Sequence, residues 1–328
     1  MRAQNKERSW SFPGISCSGS LERMDLEQKA IERIKMASEI SRHHYGQPLV
    51  CTYSGGKDSD VMLELFKRSG IPFEVHNSHT TADAPQTVYH IREVFRKLEL
   101  QGIRCEIDYH KQSDGSRITM WNLIPIKLMP PTRLVRYCCS ELKETGCASR
   151  MIATGVRWDE SSSRKNRDSF EVIASKKKDK IAVSDEKMLL SDNDDRRRMF
   201  EKCELKAKTV VNPIIDWTEN DIWNFINQEH LNVNVLYQCG YDRVGCIGCP
   251  MVGRYKRQKE FAYFPTYKIA YIKAFDRMLL IRKSKGLETK WKSGEAVFDW
   301  WMEDENIDGQ YSMEFDGADL VGFKEKGI

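Results

Sequence analysis

The chain has 328 residues and a mass of 38.2 kDa, enough for one large domain or two small ones. Charged side chains make up 30% of it, and no apolar run approaches the ~20 residues of a membrane span, which excludes a transmembrane protein. A net charge of +4 permits a nucleic-acid partner without requiring one; with no signal-peptide core, a cytoplasmic location is expected, where ten cysteines suit metal ligation better than a disulfide framework.

Residues 1–23 are polar, carry Gly and Ser, and show no sustained period, so they are expected to form a disordered leader. From Met24 to His44 the apolar positions Leu26, Ala30, Ile34 and Ala37 recur at helical spacing, which predicts a helix packed on a sheet. Pro48 to Thr52 is a short apolar run, and Val61, Met62, Leu65 and Phe66 mark one face of a helix. Between them stands Tyr53-Ser54-Gly55-Gly56-Lys57-Asp58-Ser59. Gly55 and Gly56 can take positive φ, so backbone N–H groups turn inward beside a helix N-terminus and form a phosphate cradle. Walker spacing is absent, which excludes an ordinary P-loop NTPase. A plain strand-to-helix turn is the bland alternative, and the Ser, Lys, Asp and Ser around the glycines weigh against it.

Ser54 to Ser59 resembles the SGGxDS signature of the PP-loop ATP pyrophosphatases. From about Leu49 to about Gly253 the chain resembles their phosphoadenosine phosphosulfate (PAPS) reductase branch. That branch includes the sulfonucleotide reductases and the iron-sulfur, ATP-cleaving subunit of bacterial DNA phosphorothioation systems. The resemblance implies that Ser54, Gly55, Gly56, Lys57, Asp58 and Ser59 bind an adenine nucleotide, with Lys57 and Asp58 in catalytic roles.

Ile71 to His76 predicts a second strand, Pro85 to Leu98 a helix, Cys105 to His110 a third strand, Thr119 to Leu128 a short helix and Ile152 to Val156 a fourth strand. This alternation predicts an α/β fold with a doubly wound, mainly parallel sheet, of adenine nucleotide alpha hydrolase type by the resemblance, followed by a C-terminal helical region. Asp83, ahead of Pro85-Gln86-Thr87, is a candidate for holding Mg²⁺ or a ribose and equally an ordinary helix cap; the family motif carries Glu where Gln86 stands. Gly155 to Ser161 resembles the family's Gly-x-Arg-x-x-Glu-Ser element, whose arginine reaches the nucleotide phosphates. Arg157 therefore joins the nucleotide-binding and catalytic candidates, with a surface ion pair as the alternative.

Residues 162–208 are rich in charge, including Lys176-Lys177-Lys178 and Arg196-Arg197-Arg198, and read as a solvated insertion. Val210 to Ile215 returns to strand. Asn212 to Thr218 resembles the family's Pro-Leu-x-Asp-Trp-Thr, and Thr218 with Asp221 forms a capping box that opens a helix to Glu229. A long helix through Tyr267 and Ile281 closes at Gly286, and Trp291, Phe298, Trp300 and Trp301 suit a core or interface better than base stacking. The expected organisation is the leader (1–23), a nucleotide-binding domain (24–255) carrying the insertion and a cysteine loop (239–250), and a helical extension (256–328).

Cys239, Cys246 and Cys249 form a Cys-x6-Cys-x2-Cys group, with Cys138-Cys139 far upstream. Tight spacing with a remote pair lets thiolates converge on one centre, and coordination chemistry leaves iron-sulfur and zinc level. The family pattern of a Cys-Cys pair with a distant Cys-x-x-Cys tips the choice to a [4Fe-4S] cluster, five candidates standing for four sites.

The first functional reading, from the resemblance, is a PP-loop iron-sulfur enzyme of sulfur metabolism. It would cleave ATP, with Mg²⁺, to AMP and pyrophosphate and so adenylylate an acceptor for sulfur transfer. Its expected partners are the adenine nucleotide, a sulfur donor such as a cysteine desulfurase and, as a candidate acceptor, nucleic acid. The second reading is reduction of APS or PAPS; the third is a non-catalytic nucleic-acid-binding protein with a structural metal centre. The family's sulfonucleotide reductases attack with a cysteine on a C-terminal tail, and no cysteine follows Cys249 here, which ranks ATP cleavage first. An intact Lys57 with Arg157 argues against the third.

Overall fold

The computed structural model describes residues 18–303 apart from 113, 144, 145, 148, 163, 174–179 and 184–207. These residues separate into two compact units. One comprises the chain up to His76 with Lys97–Cys105 and Cys147–Val233; the other comprises Asn77–Arg96, Glu106–Gly146 and the chain from Asn234 on.

Among the described residues the sheet has seven strands: β1 (Leu49–Thr52), β2 (Phe73–Ser78), β3 (Cys105–Asp108), β4 (Met151–Ala153), β5 (Phe170–Ile173), β6 (Lys180–Val183) and β7 (Lys208–Val211), in the spatial order β3-β2-β1-β4-β7-β5-β6. β1 runs parallel to β2 and β4, and β4 parallel to β7, as the strand-helix alternation predicts. The β5–β6 edge departs from the expectation. β5 pairs antiparallel with β7, Phe170 opposite Val211, and β6 pairs antiparallel with β5, so part of the charged insertion extends the sheet. The lysine and arginine runs themselves lie outside the described residues.

Helix α1 (Ser18–Tyr45) starts ahead of Met24, so residues 18–23 are helical; residues 1–17 of the expected leader lie outside the described residues. Ala30, Ile34 and Ala37 on α1 are fully buried, and Arg33 anchors the helix with Nη1 2.8 Å and Nη2 3.1 Å from the two carboxylate oxygens of Asp216. Helix α2 (Lys57–Ser69) buries Val61, Met62, Leu65 and Phe66, each such side chain stabilising by about 1.5 to 3 kcal/mol. Gly70, in left-handed conformation, closes α2, and Ile71-Pro72 makes the turn. β2 therefore begins at Phe73, two residues later than the pattern predicts.

In the same unit, α6 (Glu219–Gln228) opens with the expected capping box: Asp221 N donates to Thr218 Oγ1 at 3.2 Å, and Thr218 N to Asp221 Oδ2 at 2.8 Å. Helix α3 (Pro85–Glu99) follows β2. The second unit also holds α4 (Met120–Lys127), α5 (Tyr137–Leu142), α7 (Arg254–Tyr263), α8 (Pro265–Ser284) and α9 (Gly294–Glu303).

Its core joins Met120 and Ile124 of α4 to Tyr271, Ala274, Phe275 and Met278 of α8 and to Val297, Phe298 and Trp301 of α9. Trp301 is sealed there, its indole N–H donating to Pro131 O at 2.7 Å, so the C-terminal aromatics build a core. Among the described residues, no helix is long and apolar enough to cross a membrane.

Candidate functional site

Of the two loop glycines only Gly55 takes the positive φ expected of both; Gly56 is extended, at φ −100°. Gly55 has φ 71° and Gly56 is the N-cap of α2, so the chain reverses between the end of β1 and the helix N-terminus. Ser59 locks the turn: its hydroxyl accepts from Gly56 N at 3.1 Å and lies 2.7 Å from Gly56 O. Tyr53 N donates to His76 O at 2.8 Å, which ties the loop to β2, and the Tyr53 hydroxyl donates to the Asp60 carboxylate.

Two cations flank this turn. Lys57 is 4% exposed, its Nζ 3.4 Å from Asp58 Oδ2 and 3.3 Å from Glu219 Oε1. Arg157 follows β4 and is 2% exposed; its Nε donates to Asp58 Oδ1 and its Nη2 to Glu219 Oε2, both at 2.7 Å. Two buried cations thus meet three carboxylates, since Arg157 Nη1 also lies 3.8 Å from Asp159 Oδ2, and the carboxylate side is the more open, with the Glu219 side chain 45% exposed. The carboxylates hold both cations in place, and the Arg157 guanidinium is buried, not on the surface as the alternative reading had it. Glu219 escaped the sequence reading. Its only signal was its place as first residue of the helix capped by Thr218, where a carboxylate is ordinarily read as dipole compensation.

In the second unit, Cys138 and Cys139 on α5 meet the loop carrying Cys246 and Cys249. The Cys139 side chain hydrogen-bonds to that of Cys138, and Cys246 and Cys249 lie near enough to influence the titration of Cys138. Cys249 N donates to Cys246 O at 3.3 Å, and Glu260 of α7 accepts from Gly248 N at 2.7 Å, which fixes the turn between the two cysteines. The loop is also stitched to residues 80–84. Asp83 pairs with Cys246 in an antiparallel bridge, Ile247 N donates to Ala82 O at 2.8 Å, and Cys246 Sγ donates to Thr80 Oγ1 at 3.3 Å. Tyr267 and Tyr271 of α8 complete the frame, donating to Asp83 O at 2.6 Å and Ile247 O at 3.0 Å.

Burial pushes the Cys246 thiol up to about 11 although the Lys143 ammonium pulls it down. The hydrogen bond with Cys139, together with burial, raises Cys138 further. Thiols held this way are protonated at neutral pH, and a metal would bind with release of their protons. Among the described residues, no three of the five candidate sulfurs lie within 4.8 Å of one another. Tetrahedral zinc at Zn–S of about 2.3 Å would draw its sulfurs to about 3.8 Å. Cys239 sits on the turn after Val235–Tyr237 and is solvent-exposed, unlike the other four. Asp83 lies against the cysteine loop, its Oδ2 accepting from Thr80 N at 3.0 Å and its Oδ1 3.9 Å from Cys246 Sγ. The structure thus places Ser54 to Ser59 with Arg157 in one unit, and Asp83 with Cys138, Cys139, Cys246 and Cys249 in the other.

A family model, the phosphoadenosine phosphosulfate reductase domain, matches residues 48–252. The adenosine 5'-phosphosulfate reductase of Staphylococcus haemolyticus is 22% identical over 247 residues, covering 73% of this chain and 84% of the relative. Among solved structures, the phosphoadenylyl-sulfate (PAPS) reductase of Candida auris in a phosphate complex is 15% identical, with a TM-score of 0.40 over 73% of this chain and 98% of that one. The U34-tRNA thiolase NcsA of Methanococcus maripaludis with its [4Fe-4S] cluster is 14% identical, with a TM-score of 0.36 over 79% of this chain and 82% of that one. These structural likenesses are too slight to carry a functional argument. The domain match spans well over half of the residues, and the chain belongs to the phosphoadenosine phosphosulfate reductase family.

Proposed function

We propose that the protein cleaves ATP to AMP and pyrophosphate and so adenylylates an acceptor for sulfur transfer. The observation that carries this reading is the pair of buried cations, Lys57 and Arg157, held by Asp58 and Glu219 against the glycine turn. In the reaction, the loop N–H groups and Lys57 take the β- and γ-phosphates, and Arg157 grips phosphate oxygens with two N–H groups. An acceptor oxygen attacks the α-phosphorus, the α–β bridge breaks, and pyrophosphate leaves with its charge neutralised by groups already in place. Catalysis of this kind is mostly positioning and electrostatic stabilisation. Asp58, a partly exposed carboxylate beside the cradle, suits Mg²⁺, which when bound would neutralise phosphate charge.

Cys138, Cys139, Cys246 and Cys249 are the residues that would hold a [4Fe-4S] cluster. Soft thiolates suit either metal, and the family pattern of a Cys-Cys pair with a distant Cys-x-x-Cys favours a cluster whose cysteines bind separate irons. Asp83 also orders the cysteine loop, and it remains, with Asp58, a candidate for Mg²⁺. Zinc remains the alternative metal. A sulfur donor such as a cysteine desulfurase and a nucleic-acid acceptor complete the reading.

The relative named as an adenosine 5'-phosphosulfate reductase supports a second reading, reduction of a sulfonucleotide at the same site. One experiment separates the two: anaerobically purified protein is incubated with ATP or with APS or PAPS plus thioredoxin. The expected result is AMP and pyrophosphate from ATP, lost in Lys57→Ala, with no sulfite. Thioredoxin-dependent sulfite release at ordinary enzymatic rates overturns the assignment.

A further inference from the structure

Glu74 and His76 stand two apart on β2 and share a face of the sheet. Both are buried, at 8% and 6% exposure. His76 Nε2 lies 3.2 Å from Glu74 Oε2, and His76 Nδ1 lies 3.4 Å from Cys147 Sγ. Arg150 Nη2 donates to the same Glu74 oxygen at 3.0 Å, and Arg104 lies 3.7 Å from the other. Burial alone would push the Glu74 carboxyl up, but the hydrogen bonds from Arg150 and His76 and the charges of Arg150 and Arg104 outweigh it and hold the group below its ordinary value. An ionised carboxylate on Nε2 takes that ring proton as its hydrogen bond, which leaves the Nδ1 lone pair facing the thiol. Nucleophile, base and orienting carboxylate are thus lined up.

Two further observations set this group apart from a satisfied buried histidine. Cys147 has φ 56°, a left-handed conformation rare outside glycine that concentrates at functional sites. The backbone of His76 is bonded to Tyr53, the residue that leads into the phosphate loop, so the relay adjoins the nucleotide cradle within one unit. The competing view is a small apolar cysteine, because Cys147 also packs against the cluster of Val50, Ile152 and Val210. An apolar role requires neither an oriented imidazole nor a carboxylate behind it.

We propose that Cys147 is a nucleophile that takes up sulfane sulfur as a persulfide, with His76 as its general base and Glu74 as the residue that positions His76. The inference rests on the sulfur-transfer reading above. Cys147 gives its Sγ proton to His76 Nδ1 and attacks the terminal sulfur of a donor persulfide R–S–SH. The donor S–S bond breaks, its electron pair departs on R–S⁻, and His76 returns the proton to that thiolate. The products are Cys147–S–SH and R–SH, and no external oxidant or reductant is consumed.

The test incubates the full chain anaerobically with glutathione persulfide, alkylates it and digests it with trypsin. The peptide running from Glu144 to Arg150 contains Cys147 as its sole cysteine. The expected result is one added sulfur atom on that peptide, formed about 100-fold more slowly in His76→Gln, the low end of what a general base contributes. Glu74→Gln should slow labelling as well and Glu74→Asp should restore part of it, which a merely structural role for the carboxylate would not do. Sulfur found only on peptides carrying Cys138, Cys139, Cys239, Cys246 or Cys249 overturns the proposal. So does labelling of His76→Gln at the wild-type rate, or zinc that resists chelation and is lost on replacing His76 or Cys147. The position of the added sulfur in the wild type decides the matter even where a variant fails to fold. Labelling needs no ATP, so its failure with pyrophosphate release intact overturns this proposal alone, and the converse overturns only the ATP reading.

Discussion

Gly248→Ala tests the architecture of the cysteine loop at one atom. Gly248 has φ 72°, and a Cβ added there would stand 2.4 Å from Phe261 Cζ and 3.2 Å from both neighbouring ring carbons. Phe261 cannot withdraw: it is 6% exposed, with its ring centroid 5.1 Å from that of Phe298 and 5.8 Å from that of Tyr271. The left-handed backbone costs an alanine about 1 to 2 kcal/mol and overpacking adds about 1 to 3, for a total of about 2 to 5 kcal/mol. The same displacement would pull Gly248 N from Glu260 Oε2 and move Cys246 and Cys249 on either side of it. Urea unfolding of anaerobically prepared protein should show the loss as a lower midpoint, with metal content falling in parallel. Adding Phe261→Leu should recover part of the overpacking cost and none of the backbone cost, so the double variant should be less destabilised than the sum of the singles. A Gly248→Ala protein within about 0.5 kcal/mol of wild type and fully metal-loaded would refute this reasoning.

Cys249→Ser should lose iron and stability together, because ligation is coupled to folding, whereas Cys239→Ser, altering an exposed thiol, should retain iron; equal loss from both would bring Cys239 into the ligand set. The Glu74 carboxyl titrates below its ordinary 4.5 in the folded chain, so its contribution to stability is present above that pH and is lost as the pH falls through the lower folded value. The stability gap between wild type and Glu74→Gln should therefore be full at neutral pH and close in acid, as read from urea midpoints across that range. A gap independent of pH would mean that the Arg150 contact is not acting through charge.

Some features of the fold and the site were legible because they follow from neighbours in the chain. Gly55-Gly56 before the repeat of Val61, Met62, Leu65 and Phe66 specifies a strand-turn-helix whatever surrounds it, and Thr218 with Asp221 specifies a helix start. Other features were hidden because the local signal pointed elsewhere. Phe170 to Ile173 is a short apolar strand inside a charged stretch, and charge density outweighed four residues of pattern; pairing with β7 is what makes it a strand. Glu219 reads as a helix-dipole carboxylate until Lys57 and Arg157 are found on it.

Which chemistry is available follows from the order of residues alone: a glycine turn with a lysine in it, an arginine after a strand, clustered thiols, and the order in which strands and helices come. These are properties of residue type and spacing, and they survive without coordinates. Tertiary structure decided which groups share a site. Cys138 and Cys139 lie about a hundred residues from Cys246 and Cys249 and meet only because α5 and the cysteine loop belong to one unit. Cys239, seven residues from Cys246, faces solvent. Cys147 stands 71 residues from His76 and gains a base only because β2 presents Glu74 and His76 on one face to the chain that precedes β4. Nothing in the spacing of Glu74, His76 and Cys147 announces such a relay, since the distance between side chains is set by the sheet and not by their separation along the chain.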